Sequence, residues 1–238
     1  MKIALIGYGK MGKTIEGLAL AQGHSIAGTF DIDRPAAVAS LASADVCIEF
    51  STPETAVENI RTAIAARKDI VVGTTGWYDR LPEIRKSLEG AESGVLYSAN
   101  FSIGVNLYFR IVAAAAELMR NYEDYDPYIH EVHHRQKADS LSGTALRLAE
   151  IVMARIGRKK EIATGRMDGR IPEHTLHVSS TRTGSCAGTH TVGFDSEADL
   201  IELTHIARSR KGFALGALRA AQWLHGRKGI YTMDDVEL

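Results

Sequence analysis

Cysteine is almost missing from this chain: Cys47 and Cys186 are the two present in 238 residues. One falls in a predicted strand and the other in a glycine-rich stretch, with no repeated spacing, so neither a disulfide framework nor a structural zinc site is indicated. A reducing, cytoplasmic setting is the simplest expectation. An excess of either charge is missing too. The 28 basic and 29 acidic residues leave a formal charge of −1, which removes any bulk attraction to nucleic acid or an anionic membrane. Any affinity for an anion must therefore be local. No apolar run approaches the roughly 18 residues of a membrane span. The opening Met1-Lys-Ile-Ala-Leu-Ile-Gly7 is too short for a signal segment and is broken by glycine, so it is expected to be structural. What remains, 45% hydrophobic and 24% charged residues, is ordinary globular composition, enough for one large or two modest domains.

Ile3 to Ile6 is apolar without alternation and stops at a glycine, the mark of a strand buried on both faces. The turn that follows, Gly7-Tyr8-Gly9-Lys10-Met11-Gly12, opens a helical repeat at Ile15, Leu18 and Ala19. This is G-x-G-x-x-G in its strand, turn, helix setting. Gly7 permits the tight turn, Gly9 lets a pyrophosphate approach the backbone, and Gly12 lets helix and strand pack closely. The helix N-terminus then offers amides and a favourable dipole to phosphate. A second strand, Ser25 to Phe30, ends at Asp31, 19 residues beyond Gly12, where such folds place the carboxylate that binds the adenine ribose hydroxyls. Asp31 argues for an unphosphorylated ribose, while Arg34 could meet a 2′-phosphate, so both NADH and NADPH are expected cofactors. Further strands at 44–50, 70–72 and 94–98 alternate with helices at 56–66 and 81–88. The pattern is an open parallel sheet with its ligand at the carboxyl edge. Thr74 and Thr75, in Gly73-Thr-Thr-Gly76, and Asn100, in Ala99-Asn-Phe101, are placed for the nicotinamide end.

An alanine-rich helical pattern over 104–119 marks a change of architecture. A strand at 128–132 then enters the stretch Glu131-Val-His-His-Arg-Gln-Lys137, and Ser142-Gly-Thr-Ala145 begins a helix with a stripe at Ala145, Leu148, Val152 and Ile156. Ser142 as cap, with the amides around Gly143 and Thr144, makes an anion cradle at a helix terminus, to which Lys137 adds a full positive charge. His133 and His134 are the residue type suited to proton exchange near neutrality. Neighbours on a strand point to opposite faces, so the two take different roles: one at the reacting centre, the other supporting it or touching substrate. No metal is expected, because two histidines crowded by Arg135 and Lys137 make a poor ligand set. Strands at 175–180, 188–194 and 198–207 and a small-residue helix at 212–224 complete the reading. The expected fold is α/β: a Rossmann-type dinucleotide-binding domain formed by 1–103 plus 211–238, and an α+β domain on a mixed sheet formed by 104–210. Two chain crossings would allow hinged closure over ligand.

The glycine loop, Gly73-Thr-Thr-Gly76, Asn100-Phe-Ser-Ile-Gly-Val-Asn106, the EVHHRQK block with SGTA, and the tail from Thr204 to Trp223 together resemble the 4-hydroxy-tetrahydrodipicolinate reductase (dihydrodipicolinate reductase) family over nearly the whole chain. The E-x-H-H-x-x-K block followed by S-G-T-A is far more specific than the glycine fingerprint. The resemblance implies a cytoplasmic homotetramer of lysine biosynthesis that reduces a cyclic dicarboxylate with NADH or NADPH. It puts the proton-donor histidine at His133, in protonated form. It puts a substrate-carboxylate or donor lysine at Lys137, a substrate contact at His134, and the cradle at Gly143 and Thr144. Its cofactor contacts fall on the loop from Gly7 to Gly12, on Asp31, Gly73 and Thr75, and on Ala99 to Phe101.

Two features depart from the family. Leu141 stands where proline is usual before Ser142, implying a less rigid cradle loop, and the 31–44 linker is short, implying a more open adenine pocket. A different oxidoreductase on a similar scaffold would keep Gly9 and Asp31 but lack the EVHHRQK block. An NAD(P)-sensing module would need neither a proton donor nor an anion cradle, and a purely structural protein would leave both the glycine loop and His133 to Thr144 as coincidences.

Overall fold

A computed structural model describes residues 1–165 and 167–237. It divides into two compact units, Met1–Ile103 with Arg210–Leu238, and Gly104–Ser209.

The first unit is a six-stranded, wholly parallel sheet. Its strands are β1 (Lys2–Ile6), β2 (Ser25–Phe30), β3 (Val46–Glu49), β4 (Asp69–Val72), β5 (Gly94–Tyr97) and β11 (Gly229–Tyr231), in the order β11-β5-β4-β3-β1-β2. The continuous apolar runs are explained by cover on both faces. Ile3 and Leu5 pack with Ile15 and Ala19 of α1 (Lys10–Ala21) and with Ala217, Ala221 and Leu224 of α6 (Lys211–Leu224). Ala4 and Ile6 face the other way, with Val57, Ile60 and Ala63 of α2 (Pro53–Ala65) and Ile84 of α3 (Leu81–Leu88). Small residues in α6 are required by close approach: a Cβ at Gly216 would stand 1.6 Å from the Phe101 carbonyl oxygen. Between β2 and β3 the chain makes only a single 3-10 turn, Val38–Leu41. The three-residue β11 was not anticipated.

The second unit is a five-stranded mixed sheet in the order β10-β9-β6-β8-β7. Here β6 (Asp126–His133) runs parallel to β8 (Thr175–Arg182) and antiparallel to β9 (Thr189–Asp195). The outer strands are β7 (Glu161–Thr164), absent from the sequence reading, and β10 (Leu200–Ile206). Ile129, Val178, Val192 and Phe194 of the sheet pack against Tyr108 and Val112 of α4 (Ile103–Met119) and Leu148 and Val152 of α5 (Gly143–Arg155).

Candidate active site

The carboxyl edge of the first sheet carries the glycine loop. Gly7 has φ of +88°, and a Cβ there would lie 2.1 Å from the Phe50 carbonyl oxygen, so both conformation and space demand glycine. Gly12 lies inside the first turn of α1, where a Cβ would meet the Gly7 carbonyl oxygen at 2.5 Å. Gly9 is different, because a Cβ there would have nothing within 4 Å. Its backbone faces an open cleft of about 310 Å³ lined also by Gly7, Asp31, Ser51 and Asn59. A second cleft of about 490 Å³ shares Gly9, Phe50 and Ser51 and reaches Lys10, Met11, Gly73, Thr74 and Thr75. Both lie where strand order reverses around β1, the place an open parallel sheet binds its ligand. The bare backbone at Gly9 and the acid at Asp31 fit a dinucleotide.

The expected cofactor residues separate in detail. The Asp31 carboxylate accepts from the Tyr8 and Ile32 amides at 3.2 and 2.9 Å, which fixes it at the cleft wall. Tyr8 turns its hydroxyl to Glu16. Thr74 is a buried strut: its Oγ1 accepts from the Ser51 amide at 2.8 Å, and its carbonyl from the Trp77 indole at 2.8 Å. Arg34 is not brought to Asp31 by its side chain, since the guanidinium donates to the Thr29 carbonyl and, at 2.6 Å, to Thr29 Oγ1, lining a separate hollow. Ala99 to Phe101 form the turn after β5, and the Phe101 ring is buried in the core edge-on to Phe50, so it offers the clefts no side chain.

The second unit concentrates its ionisable groups on one sheet face. On β6 the period of two puts Ile129, Glu131 and His133 on the buried face. The register sets Ser180 and Arg182 of β8 opposite Glu131 and His133, and His190 of β9 opposite Glu131. Paired residues share a face, so five polar groups separated by up to 59 positions form one layer. The N-terminus of α5 lies over it. Ser142 caps the helix by accepting from the Ala145 amide at 3.2 Å, as expected. The same hydroxyl donates to Glu131 and lies 3.1 Å from His190 Nε2. Gly143, just beyond the cap, heads the helix where amides have no intrahelical acceptor, and a Cβ there would meet nothing within 4 Å.

Glu131, fully buried, is the hub. It accepts from the Ser142 amide at 3.2 Å, from Ser180 Oγ at 2.9 Å and from Arg182 Nη2 at 3.0 Å. Burial opposes its charge, but hydrogen bonds from His190, Ser142, Arg182 and Ser180 outweigh that and hold the carboxyl well below the usual range. Arg182 also donates to the Asp139 carbonyl at 2.6 Å, so it ties the cradle loop to the sheet. His133 is 7% exposed. Burial lowers its pKa to about 4; Glu131 resists the shift, while His190, Lys137 and Arg182 add to it. Burial thus favours the neutral imidazole in the free chain. His134 leaves the strand and is half-buried. Lys137 holds both carboxylate oxygens of Asp139 at 2.8 Å, so its charge is already paired with an internal carboxylate.

Sequence reading gave no role to Glu131 or His190. The Glu131-x-His133 spacing on a strand was a usable signal, but His190 enters only through pairing across 59 positions. Glu131, His133 and His190 offer ligand atoms within 4.8 Å of one another, the one such grouping among the described residues. It suits a cation poorly, because the lone pairs of Glu131 are already taken by serine donors and a guanidinium.

Residues 1–101 match the family described as "Dihydrodipicolinate reductase, N-terminus" and residues 104–236 its "C-terminus" counterpart. A relative from Christiangramia forsetii, named 4-hydroxy-tetrahydrodipicolinate reductase, is 40% identical over 236 residues, 99% of this chain and 97% of its own. One of the same name from Neisseria gonorrhoeae is 38% identical over 92% of this chain and 80% of its own. Among solved structures, dipicolinate-bound dihydrodipicolinate reductase from Paenisporosarcina sp. TG-14 shares the fold with a TM-score of 0.78 at 21% identity, covering 98% of this chain and 97% of its own. A glycine-loop unit and a charged-layer unit, each matched to its own half of one family, leave one conclusion: the chain belongs to the dihydrodipicolinate reductase family.

Proposed function

We propose that this protein reduces (2S,4S)-4-hydroxy-2,3,4,5-tetrahydrodipicolinate to (S)-2,3,4,5-tetrahydrodipicolinate, with loss of water, in the diaminopimelate and lysine pathway, using NADH or NADPH. The observation that carries the reading is a buried histidine beside a capped helix N-terminus and a lysine, within a chain of this family. The nicotinamide supplies the hydride that adds to the conjugated C=C–C=N system of the dehydrated ring. The loop from Gly7 to Gly12 binds the pyrophosphate, Asp31 the adenine ribose, and the turns at Gly73–Thr75 and Ala99–Phe101 border the nicotinamide.

Lys137 and the amides of Gly143 and Thr144 hold the substrate carboxylates and stabilise the negative charge drawn into them as the ring accepts electrons. His134 contacts the substrate. His133 delivers one proton to the reduced ring. Because burial favours the neutral imidazole in the free chain, that proton is taken up with the substrate: two carboxylates beside Lys137 and Arg182 offset the positive charge that disfavours imidazolium. The reaction needs donor and acceptor carbons within about 3–3.5 Å, and a dry site in which these charges act at full strength. A cytoplasmic homotetramer is the working form.

The test is oxidation of NADH and of NADPH, followed by absorbance, with the condensation product of pyruvate and aspartate semialdehyde generated in situ. Turnover that falls in His133→Ala and Lys137→Ala while nucleotide binding persists supports the assignment. Folded, nucleotide-binding protein with no turnover overturns it in favour of another dehydrogenase or a sensor.

A further inference from the structure

The charged layer under α5 contains a carboxylate to which the reaction above gives no role. We infer that Glu131 is a positioning residue for His133: it keeps the proton of the neutral imidazole on Nδ1, so that Nε2 is the atom that takes up and delivers the proton of the reaction. The inference deepens the reductase reading and rests on it.

The argument is an accounting of protons. Ser142 Oγ has one proton and two lone pairs. One lone pair accepts from the Ala145 amide at 3.2 Å, and the other faces His190 Nε2 at 3.1 Å. Ser142 Oγ also sits in hydrogen-bond contact with Glu131 Oε2, and two oxygens that close require a proton between them. Arg182 Nη2, 3.0 Å from Glu131 Oε1, keeps the glutamate ionised, so the serine supplies that proton. His190 must then donate through Nε2, since the serine has no second proton to give it. Ser180, which accepts from Arg182 Nη1 at 2.5 Å, donates to Glu131 Oε1 at 2.9 Å. Every group around Glu131 is thus a donor, and the remaining neighbour is His133 Nδ1, which is buried without a hydrogen-bond partner and lies 3.5 Å from Oε2. At that distance a bare lone pair on Nδ1 is repelled by the carboxylate, whereas a proton there is attracted to it, so the carboxylate favours the Nδ1–H tautomer.

The other ring nitrogen is kept clear by a separate device. A Cβ at Gly188 would stand 3.0 Å from His133 Nε2, and Gly188 has φ of +143°, a conformation that L side chains rarely adopt. Glycine at this position keeps a side chain from crowding Nε2.

The experiment labels histidine with 15N in the full chain and reads long-range 1H–15N correlations at a pH where His133 is neutral, with its signals identified by their loss in His133→Asn. The expected pattern is Nδ1–H with bare Nε2; the reverse tautomer overturns the inference. Glu131→Gln is then assayed. Removing an opposite charge beside the ring lowers the proton affinity of His133, so the limb on which kcat/KM falls with rising pH moves to lower pH by about one unit or more. A fall in kcat with that limb unmoved marks Glu131 as structural only and also overturns the inference. Should Glu131→Gln fail to fold, the wild-type tautomer still decides. Absence of turnover by the wild type defeats the reductase reading, and the tautomer result remains separate from it.

Discussion

Replacing Ser142 with alanine removes one oxygen atom, and its cost follows from what that oxygen does. It caps α5 through the Ala145 amide, a contact worth about 1 kcal/mol. It also donates to a buried, ionised Glu131, and hydrogen bonds to charged groups contribute about 1.5–3 kcal/mol. The His190 Nε2 proton loses its acceptor as well. The expected destabilisation is about 3 kcal/mol, local to the layer beneath α5. Tryptophan fluorescence is the wrong probe, because Trp77 and Trp223 both belong to the other unit, and two units need not unfold together. Hydrogen exchange of the α5 and β6 amides is the right one: at 1.4 kcal/mol per factor of ten, exchange should accelerate about a hundredfold there. It should change little in β1 and β3. Acceleration below about fivefold would mean that Ser142 is an ordinary exposed-type cap, and the hub description of Glu131 would be wrong.

Gly9→Val should leave thermal stability nearly unchanged, because a Cβ there meets nothing within 4 Å, yet weaken NAD(P)H binding in a fluorescence titration by tenfold or more. Gly7→Ala should instead destabilise the first unit, since its Cβ would lie 2.1 Å from a backbone oxygen at φ of +88°. Asp31→Ser should weaken NADH more than NADPH in measured Kd, whereas equal losses would show that Asp31 merely supports the Tyr8 amide. Acid sensitivity follows from His133. Its folded pKa of about 4 lies below the unfolded value near 6.5, so between those values the unfolded chain binds a proton that the folded chain does not. Stability of the second unit should fall as pH drops through that window and be unaffected by this group above it. His205, whose pKa burial and His190 also lower, acts in the same direction. His133→Asn should flatten the pH dependence of urea midpoints between 6.5 and 4, and an unchanged slope would contradict the buried, neutral imidazole.

How much was legible depended on distance along the chain. The strand, glycine turn and helix at 2–21, the helix at 81–88 and the cap at Ser142 are written in neighbouring residues, so periodicity and turn chemistry expose them. The strands β7 and β11 were missed because Glu161–Thr164 and Gly229–Tyr231 lack the continuous apolar run that marks β3 and β4; they lie at the sheet edges, paired with β8 and β5. Phe101 read as a cofactor contact from its place in a motif, and its ring proved to be core.

Sequence alone determined the parallel unit with its glycine loop, the acid after β2, and a histidine and lysine ahead of a capped helix, because each of these is a local rule of backbone conformation or charge. The tertiary structure decided the chemistry of the second unit. Register across β6, β8 and β9 brings Ser180, Arg182 and His190 to Glu131 and His133, and enclosure by α5 removes water from that layer. Enclosure lowers the pKa of His133, and the donors gathered by the register keep Glu131 ionised in spite of burial, since the free energy of a charge is set by what surrounds it in space and not by what precedes it in the chain.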